Sequence, residues 1–544
     1  MVNLRRKIKT ASQIWIDHGW QGVKSRIKNI TFEIGQKIAY QKWVREFDTL
    51  TNDDRQLIRQ QIEKFSHQPL ISIILPVYNV DEKWLRLCLD SVRRQIYQNW
   101  ELCIADDCSP KPHIRQVLEE YQNEDSRIKV VFREKNGHIS AASNSALEIA
   151  TGEFSVLLDH DDELSEHALY FVANELNRFP ETQMIYSDED LIDEKGERSE
   201  PKFKPDWSQD LIYSLNLITH LSAYRTELLK KISGFTIGAE GSQDYDLALR
   251  VSEEIDEKQI RHIPHILYHW RAISGSVALN PDEKPYAHER AREAIRRHFE
   301  RVGIKAKVSE GYFNLHRVIY DSEPSFEIIK LKDATAESLN ILAGNSLSDV
   351  LIFVDASLEI VSNESFSELA KIAVQKNIGA VGGKFLTKNA TVRNGGVILG
   401  VDKLLGFAHQ GISKLAPGSF VRSQVVGNFS AISGVVAIRR DLFQEMNGFD
   451  AKNFNEGLFE IDLCLRLREK GLRIVFTPHA EFIQKGKCVV EKALQNIDSA
   501  EFARFKEKWK RRLERDEFYN ENLSLKNAKF AIELPPRIKK PWKN

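Results

Sequence analysis

The residues Asp159-His160-Asp161-Asp162 close the apolar run "EFSVLLDHDD" and crowd three carboxylates into four positions. Carboxylates this close repel one another unless a cation or a set of donors offsets their charge. A hard divalent ion, Mg2+ or Mn2+, takes one or two such groups and leaves its other positions to phosphate oxygens. A departing diphosphate needs that help, because negative charge builds on it as its bond breaks. The plainer alternative is an acidic turn that caps a helix at Ser165. Asp244, in "GSQDYDLALR", precedes a helical apolar run. It is either a helix-start partner worth ~1 kcal/mol or a general base that takes a proton from an attacking hydroxyl. A third stretch, "HIPHILYHWRAISGSVALNPDEK" (262–284), runs from a strand into a loop of small and polar residues, with His269 and Arg271 at the hinge. Such a loop suits a lid over a charged substrate. His269 is either a packed ring or a ligand to the ion.

The elements that must position these groups alternate regularly. "LISIILPVYN", "WELCIADDCS", "RIKVVFRE" and "EFSVLLDHDD" read as buried strands, separated by helical patterns such as "WLRLCLDSVRRQ" and "HISAASNSALEIA". That alternation predicts a helix-covered, mostly parallel sheet. Ligands bind such sheets at the carboxyl ends of the strands, where Tyr78, Asn79, Asp106, Asp107, Asp159 and Asp161 all fall.

These phrases, with "YSDEDLIDEKGER", "KPDWSQDLI" and "SGF", run in order from about residue 69 to 280. Together they resemble the family 2 glycosyltransferases, inverting enzymes of GT-A fold, and most of all the bacterial members that build O-antigen and other surface polysaccharides. The resemblance implies an α/β, Rossmann-like catalytic domain. It puts Pro76 and Tyr78 around the nucleotide, Asp107 on the base, and Asp159 on the ribose or sugar. Asp161 would hold the metal on the diphosphate, with His269 completing its coordination and Arg271 reaching the nucleotide sugar. Asp244 would be the catalytic base, although Gln243 replaces the Glu usual before it. Trp207, Asn216 and His220 lie between metal and base in sequence and are candidates for the acceptor cleft; Trp207 reads equally well as ordinary packing. The implied donor is a UDP- or dTDP-sugar and the implied acceptor a glycan or a lipid-linked sugar. Two other readings stand beside this one: a nucleotidyltransferase that makes sugar nucleotides, disfavoured because "PVYNVDEKW" has no phosphate-binding glycine, and a non-catalytic glycan-binding scaffold.

From about residue 311 a partial repeat begins. "DYDLALRV" returns as "FEIDLCLRL", "SGF" as "NGFD" and "VLLDHDD" as "IFVDASL". Asp159 then matches Asp355, Asp161 matches Ser357 and Asp244 matches Glu460. Between 311 and 348 no counterpart of "IILPVYN" or "IADDCS" is evident. This half is expected to be a truncated, non-catalytic GT-A-like domain that supports the first, binds acceptor glycan or makes a homodimer contact.

The expected domains are a basic helical extension (1–68), the catalytic domain (69–310), the truncated domain (311–490) and a basic helical tail (491–544). The tail's last residues, "PPRIKKPWKN", read as an extended, mobile end. Ile14, Trp15, Val23, Ile27 and Ile30 recur at helical spacing among Lys and Arg, either as a solvated extension or as a surface resting on anionic lipid. A net charge of −1 over 544 residues argues against wrapping nucleic acid. Five scattered cysteines without a CxxC pair fit reduced thiols. With no signal-peptide core and no apolar run long enough to span, the expected place is the cytoplasm, at the inner face of the membrane if the lipid reading holds.

Overall fold

Ile71–Val77 (ISIILPV) is buried along its whole length and forms strand β1. A strand with no polar face must be covered on both sides, and Ile71, Ile73, Leu75 and Val77 pack with Leu85, Leu89, Val92 and Tyr170 in one core. The structure, a computed structural model, describes residues 31–273, 285–331, 335–497 and 499–543. The expected lid at 274–284 and the apolar positions Ile14 to Ile30 lie outside these residues.

The chain divides into two compact units that are not contiguous in sequence. The first is Thr49–Ser322 with Glu517–Asn522 and Arg537–Asn544; the second takes Glu323–Asp516, Leu523–Pro536 and the residues up to Asp48. Among the described residues, 31–48 group with the second unit and 49–68 with the first, and the residues after 516 are likewise divided between the two.

In the first unit β2 (Trp100–Asp106), β3 (Ile128–Phe132), β4 (Phe154–Leu157), β5 (Glu163–Leu164), β6 (Met184–Ile192), β7 (Arg198–Lys202), β8 (Ser222–Arg225) and β9 (Ile260–Arg271) join β1. Their order is β3-β2-β1-β4-β8-β6-β9-β5, with β7 on β6. The sheet is mixed rather than mostly parallel. β1 runs parallel to β2 and β4, but β8 enters antiparallel between β4 and β6. A hairpin of β10 (Ala306–Glu310) and β11 (His316–Tyr320) follows.

The second unit holds β12 (Phe326–Leu331), β13 (Val350–Asp355), β14 (Leu358–Ile360), β15 (Ile378–Leu386), β16 (Val392–Asn394), β17 (Val397–Leu399), β18 (Leu405–Phe407), β19 (Gly427–Asn428), β20 (Val435–Arg439) and β21 (Arg473–Gln484). Its sheet order, β12-β13-β20-β15-β21-β14, repeats β1-β4-β8-β6-β9-β5 strand for strand. Every parallel or antiparallel sense is kept, down to the hairpin strand β16 in the place of β7. One expectation is corrected: β1 does have a counterpart, β12, which escaped notice because "FEIIKL" carries charges and lacks the Pro-Val-Tyr-Asn exit. The counterparts of β2 and β3 are missing among the described residues.

Two local devices recur in both units. Arg250 bonds Asp246 and the carbonyls of Ile232 and Gly234; Arg466 bonds Asp462 and the carbonyls of Met446 and Gly448. Asn144 clasps both backbone groups of Phe235, as Asn340 does those of Phe449. Each clasp needs a glycine beside it. Gly234 and Gly448 have φ of +63° and +65°, and a Cβ there would meet the asparagine Oδ1 at 2.3 and 2.4 Å.

The tail is not a mobile end. Trp542 is buried against His167, Tyr170 and Phe171 and donates its Nε1–H to Asp54 at 2.7 Å. Asn520 donates to Asp188 and to the Lys204 carbonyl, both at 2.8 Å. No described helix is long and apolar enough to cross a membrane.

Candidate active site

The strand ends of the first unit gather the acidic groups. After β4 the chain turns, and the Asp159 N–H bonds the Tyr268 hydroxyl. Asp162 is buried, accepting from that same hydroxyl at 2.6 Å and from the Arg271 N–H at 2.7 Å. Burial, followed by the charges of Asp161 and Asp159, pushes the Asp162 carboxyl well above its ordinary value. His220 lies across from them, its ring stacked on Tyr268 at 4.3 Å and 7°. Its Nε2 is 4.0 Å from Asp159 Oδ2. Potential ligand atoms of Asp159, Asp162 and His220 all fall within 4.8 Å of one another. Two carboxylates and an imidazole in that span fit a divalent ion. No described group hydrogen-bonds the Asp161 carboxylate, although its carbonyl accepts from Arg271 Nε.

Behind this cluster β6 carries three consecutive acids, Asp188, Glu189 and Asp190, all fully buried. Buried charge persists only when paired, and each acid has its own partners. Asp188 meets His262 Nε2 at 2.9 Å. Glu189 accepts from Lys202 Nζ at 2.6 Å and from Lys204 Nζ at 2.9 Å. Asp190 pairs with His269 Nδ1 and Arg198 Nε, each at 2.6 Å. Burial alone would raise Glu189, but the two lysines and His220 outweigh it and hold the carboxyl well below its usual range. Sequence reasoning noticed "SDED" but gave it no role; the signal was three acids inside a strand followed by "KFK", with Lys202 and Lys204 on either side of Phe203.

Asp244 is the second residue of the helix Gln243–Glu253. It accepts from Asn216 Nδ2 at 2.8 Å. Burial raises its carboxyl above the ordinary value, against the pull of His220 and of the Tyr245 N–H. A raised pKa is what a base at near-neutral pH needs.

The remaining expected residues divide. Pro76 accepts from His160 Nδ1, and Tyr78 stands exposed just beyond β1. Asp107 is buried with its carboxylate already taken by Arg133 Nε at 2.8 Å and Gly137 N at 2.9 Å. His269 is fixed through Nδ1, which leaves Nε2 as its other nitrogen; a carboxylate behind a ligating histidine is a common support. Among the described residues, the Trp207 side chain bonds only Gln209, through Nε1. Asn216 sits at Asp244 and His220 at the acidic cluster. Arg271 requires a correction. It is 1% exposed, and its guanidinium serves the Asp161 and Asp193 carbonyls and Glu163 while lying 4.6 Å over the Trp84 ring. It is a strut for the acidic turn, with no face left for a nucleotide.

Residues 72–233 match the model of glycosyl transferase family 2. WcaA of Escherichia coli (strain K12), provisionally named a colanic acid biosynthesis glycosyl transferase, is 30% identical over 213 residues, covering 37% of this chain and 74% of WcaA. The chain belongs to glycosyl transferase family 2. The sheet of its first unit is the α/β, GT-A fold of that family. An uncharacterized protein of Sinorhizobium fredii, y4gI, is 32% identical over 561 residues, covering 91% of this chain and 61% of the relative. The O-antigen biosynthesis protein RfbC of Myxococcus xanthus is 30% identical over 489 residues, covering 78% of this chain and 38% of RfbC. This family 2 chain therefore spans less than two thirds of the length of both. The span matched to the family model holds Asp107, Asp159, Asp161 and His220 but stops before Asp244 and His269.

The repeated sheet fixes how the second unit differs. β4 pairs Phe154 with Arg225, and β13 pairs Val350 with Arg439. Followed from there, Asp159 falls on Asp355, Asp161 on Ser357, Asp162 on Leu358 and His220 on Gly434. β5 pairs with β9 as β14 pairs with β21, which sets Tyr268 on Phe482 and His269 on Ile483. Tyr268 faces Glu189, and Phe482 faces Phe385. Phe385 and Phe482 meet edge to face at 6.0 Å, so an apolar contact fills the place of the polar network.

Proposed function

We propose that the first unit transfers a sugar from a nucleotide-diphosphate sugar to a hydroxyl of a glycan or lipid-linked acceptor, with inversion at the anomeric carbon. The observation that carries this reading is Asp244: a half-buried carboxyl with a raised pKa, oriented by Asn216, whose own charge state feels His220 and Asp159. That electrostatic reach supports placing the base and the strand-end acids in one site. The names of RfbC and WcaA support surface polysaccharide as the setting.

The Asp244 carboxylate takes the proton of the acceptor hydroxyl, and that oxygen forms a bond to the anomeric carbon. The bond from that carbon to the diphosphate oxygen breaks on the opposite face, and its electron pair leaves with the nucleoside diphosphate. Asn216 keeps the carboxylate aimed during the transfer. Asp159, Asp162 and His220, with Asp161 and His269 near them, would hold a Mn2+ or Mg2+ ion. Such an ion supplies the positive charge that a departing diphosphate needs. Pro76, Tyr78 and Asp107 line the end of the sheet where the nucleotide would lie, and Trp207 offers a flat face to an acceptor sugar. The second unit, without counterparts of Asp161, Asp162, His220 and β2, is read as non-catalytic.

The test is a screen of UDP-, dTDP- and GDP-sugars with and without Mn2+, scored by metal-dependent thermal shift and by release of the nucleoside diphosphate. One responding donor, with release lost in Asp244→Asn, is the expected result. No response to any donor would overturn the reading.

A further inference from the structure

Two copies of one sheet in a single chain separate what the fold needs from what the chemistry needs. The second unit keeps the strand order, the Arg466 clamp and the Asn340 clasp. It loses Asp161, Asp162, Glu189, His220 and Tyr268 together, replaced by Ser357, Leu358, Phe385, Gly434 and Phe482. None of these side chains is therefore required to build the sheet, and their joint loss marks them as one working group. His269 and Asp190 are replaced too, by Ile483 and Leu386, so the pattern alone does not rank the two histidines.

Distance ranks them. A ring nitrogen of His220 belongs to the group that joins Asp159 and Asp162 within 4.8 Å; among the described residues His269 does not. The His220 ring is fixed on three sides. Tyr268 stacks on its face, Trp270 lies 5.5 Å away, and Glu189 Oε2 approaches Nδ1 at 3.5 Å. The latter is an ion-pair approach rather than a close hydrogen bond. Its main chain is held as well, because Lys204 Nζ, paired with Glu189, also donates to the His220 carbonyl. Nδ1 thus faces Glu189 while Nε2 faces Asp159.

We propose that His220 is the third donor, with Asp159 and Asp162, to the divalent-cation site, and that Glu189 is the positioning residue that fixes its ring. This rests on the cation-assisted transfer proposed above. It assigns to His220 a role different from the acceptor contact that its place in the sequence implied. Support of a metal-bound histidine by a buried carboxylate typically changes metal affinity by about 10- to 100-fold when removed.

The experiment uses the full chain and Mn2+ alone as probe. Free Mn2+ is counted by electron paramagnetic resonance, and ligand nitrogen is read from electron spin-echo modulation. His220→Asn is expected to weaken Mn2+ binding by at least about tenfold and to diminish the nitrogen modulation. Glu189→Gln leaves Lys204 short of its counter-charge and can unfold the unit, so Glu189→Gln/Lys204→Met is made beside it. The folded variant of the two should bind Mn2+ about 10- to 100-fold more weakly while keeping a nitrogen signal. Wild-type affinity in His220→Asn, or a nitrogen signal that survives there and vanishes in His269→Asn, overturns the His220 assignment. Wild-type affinity in the folded Glu189 variant overturns its positioning role. Sugar transfer by the wild-type chain is scored separately, so these failures leave the transferase reading standing, and failure of that reading appears in the donor screen instead.

Discussion

The side-chain amide of Asn216 donates to Asp244 Oδ2 at 2.8 Å, joining the chain before β8 to the first turn of Gln243–Glu253 across 28 residues of sequence. A donor on a carboxylate favours its charged form, so this bond works against the burial that raises Asp244. Asn216 therefore fixes the direction of this carboxylate and, as a donor, favours its charged form.

Asp244→Asn should lower kcat by about 10²-fold or more, since it removes the proton acceptor. Asn216→Leu removes the favourable donor, so the acid limb of the pH–rate profile should move to higher pH, with kcat lower by about tenfold. The stability effect has the opposite sense. Asp244 has a folded pKa above its unfolded one, so its contribution is full below the ordinary value and is lost as pH rises through the folded value. Asp244→Asn should accordingly melt higher than wild type at pH 7 to 8. A lower melting temperature, or an acid limb that does not move in Asn216→Leu, contradicts the assignment.

Arg271 separates a strut from a substrate ligand. Arg271→Ala strips donors from the Asp161 and Asp193 carbonyls and leaves Glu163 without its buried partner. The expected cost is about 3–5 kcal/mol, read as a fall in melting temperature without any ligand present. Arg271→Lys keeps the charge but cannot fork between several acceptors, so it too should destabilise. A group that served the nucleotide would instead raise KM for the donor while leaving the free protein's melting unchanged.

The C-terminal segment should be needed for the first unit's stability. Trp542→Ala removes a buried ring packed on Tyr170 and Phe171, at a cost of about 3–5 kcal/mol. Trp542→Phe keeps much of the packing but leaves Asp54 without its Nε1–H donor, costing about 1–3 kcal/mol. Burial works to raise Asp54, yet the bonds from Trp542, Lys543 and Thr51 hold it well below its ordinary 3.8. Its stabilising contribution is thus present above that value and lost as pH falls through the folded one. Acid unfolding of Trp542→Phe should begin at higher pH than that of wild type, as followed by circular dichroism.

Much of the first unit was legible because its strands are short apolar runs that end in acids, and such runs read the same at any position. What was not legible depends on contacts that no local pattern encodes. Asn520 meets Asp188 across 332 residues, and its neighbourhood is composed like a solvated tail. A single tryptophan in "KKPWKN" anchors that tail, whereas the prolines and lysines around it signal a linker. His220 reaches the acidic cluster only because β8 inserts antiparallel between β4 and β6, an order that alternating strands and helices do not predict. Arg271 looked available because charge in a loop suggests a ligand; its burial follows from the backbone carbonyls of the acidic turn, which a sequence does not display.

Glu460 offers a test of the second unit that needs no substrate. It stands where Asp244 stands, but it is 1% exposed, accepts one bond, from the Gly434 N–H at 2.8 Å, and has its carboxyl pushed up to about 8, first by burial. Asp355 beside it is closed off by the N–H groups of Ser357 and Val489. A folded pKa near 8 against an ordinary 4.5 means that stability is full below the ordinary value and drains away as pH rises toward the folded one. The wild-type chain should lose up to ~1.4 kcal/mol per pH unit across that window, and Glu460→Gln, which keeps the Gly434 contact, should not. Melting curves of the two at pH 5, 6.5 and 8 check this directly: the variant should gain on the wild type at each step. Sugar transfer should be the same in both chains and in Asp355→Asn/Glu460→Gln. A second working site would show instead as a loss of product in the double variant with no change in the first unit's melting.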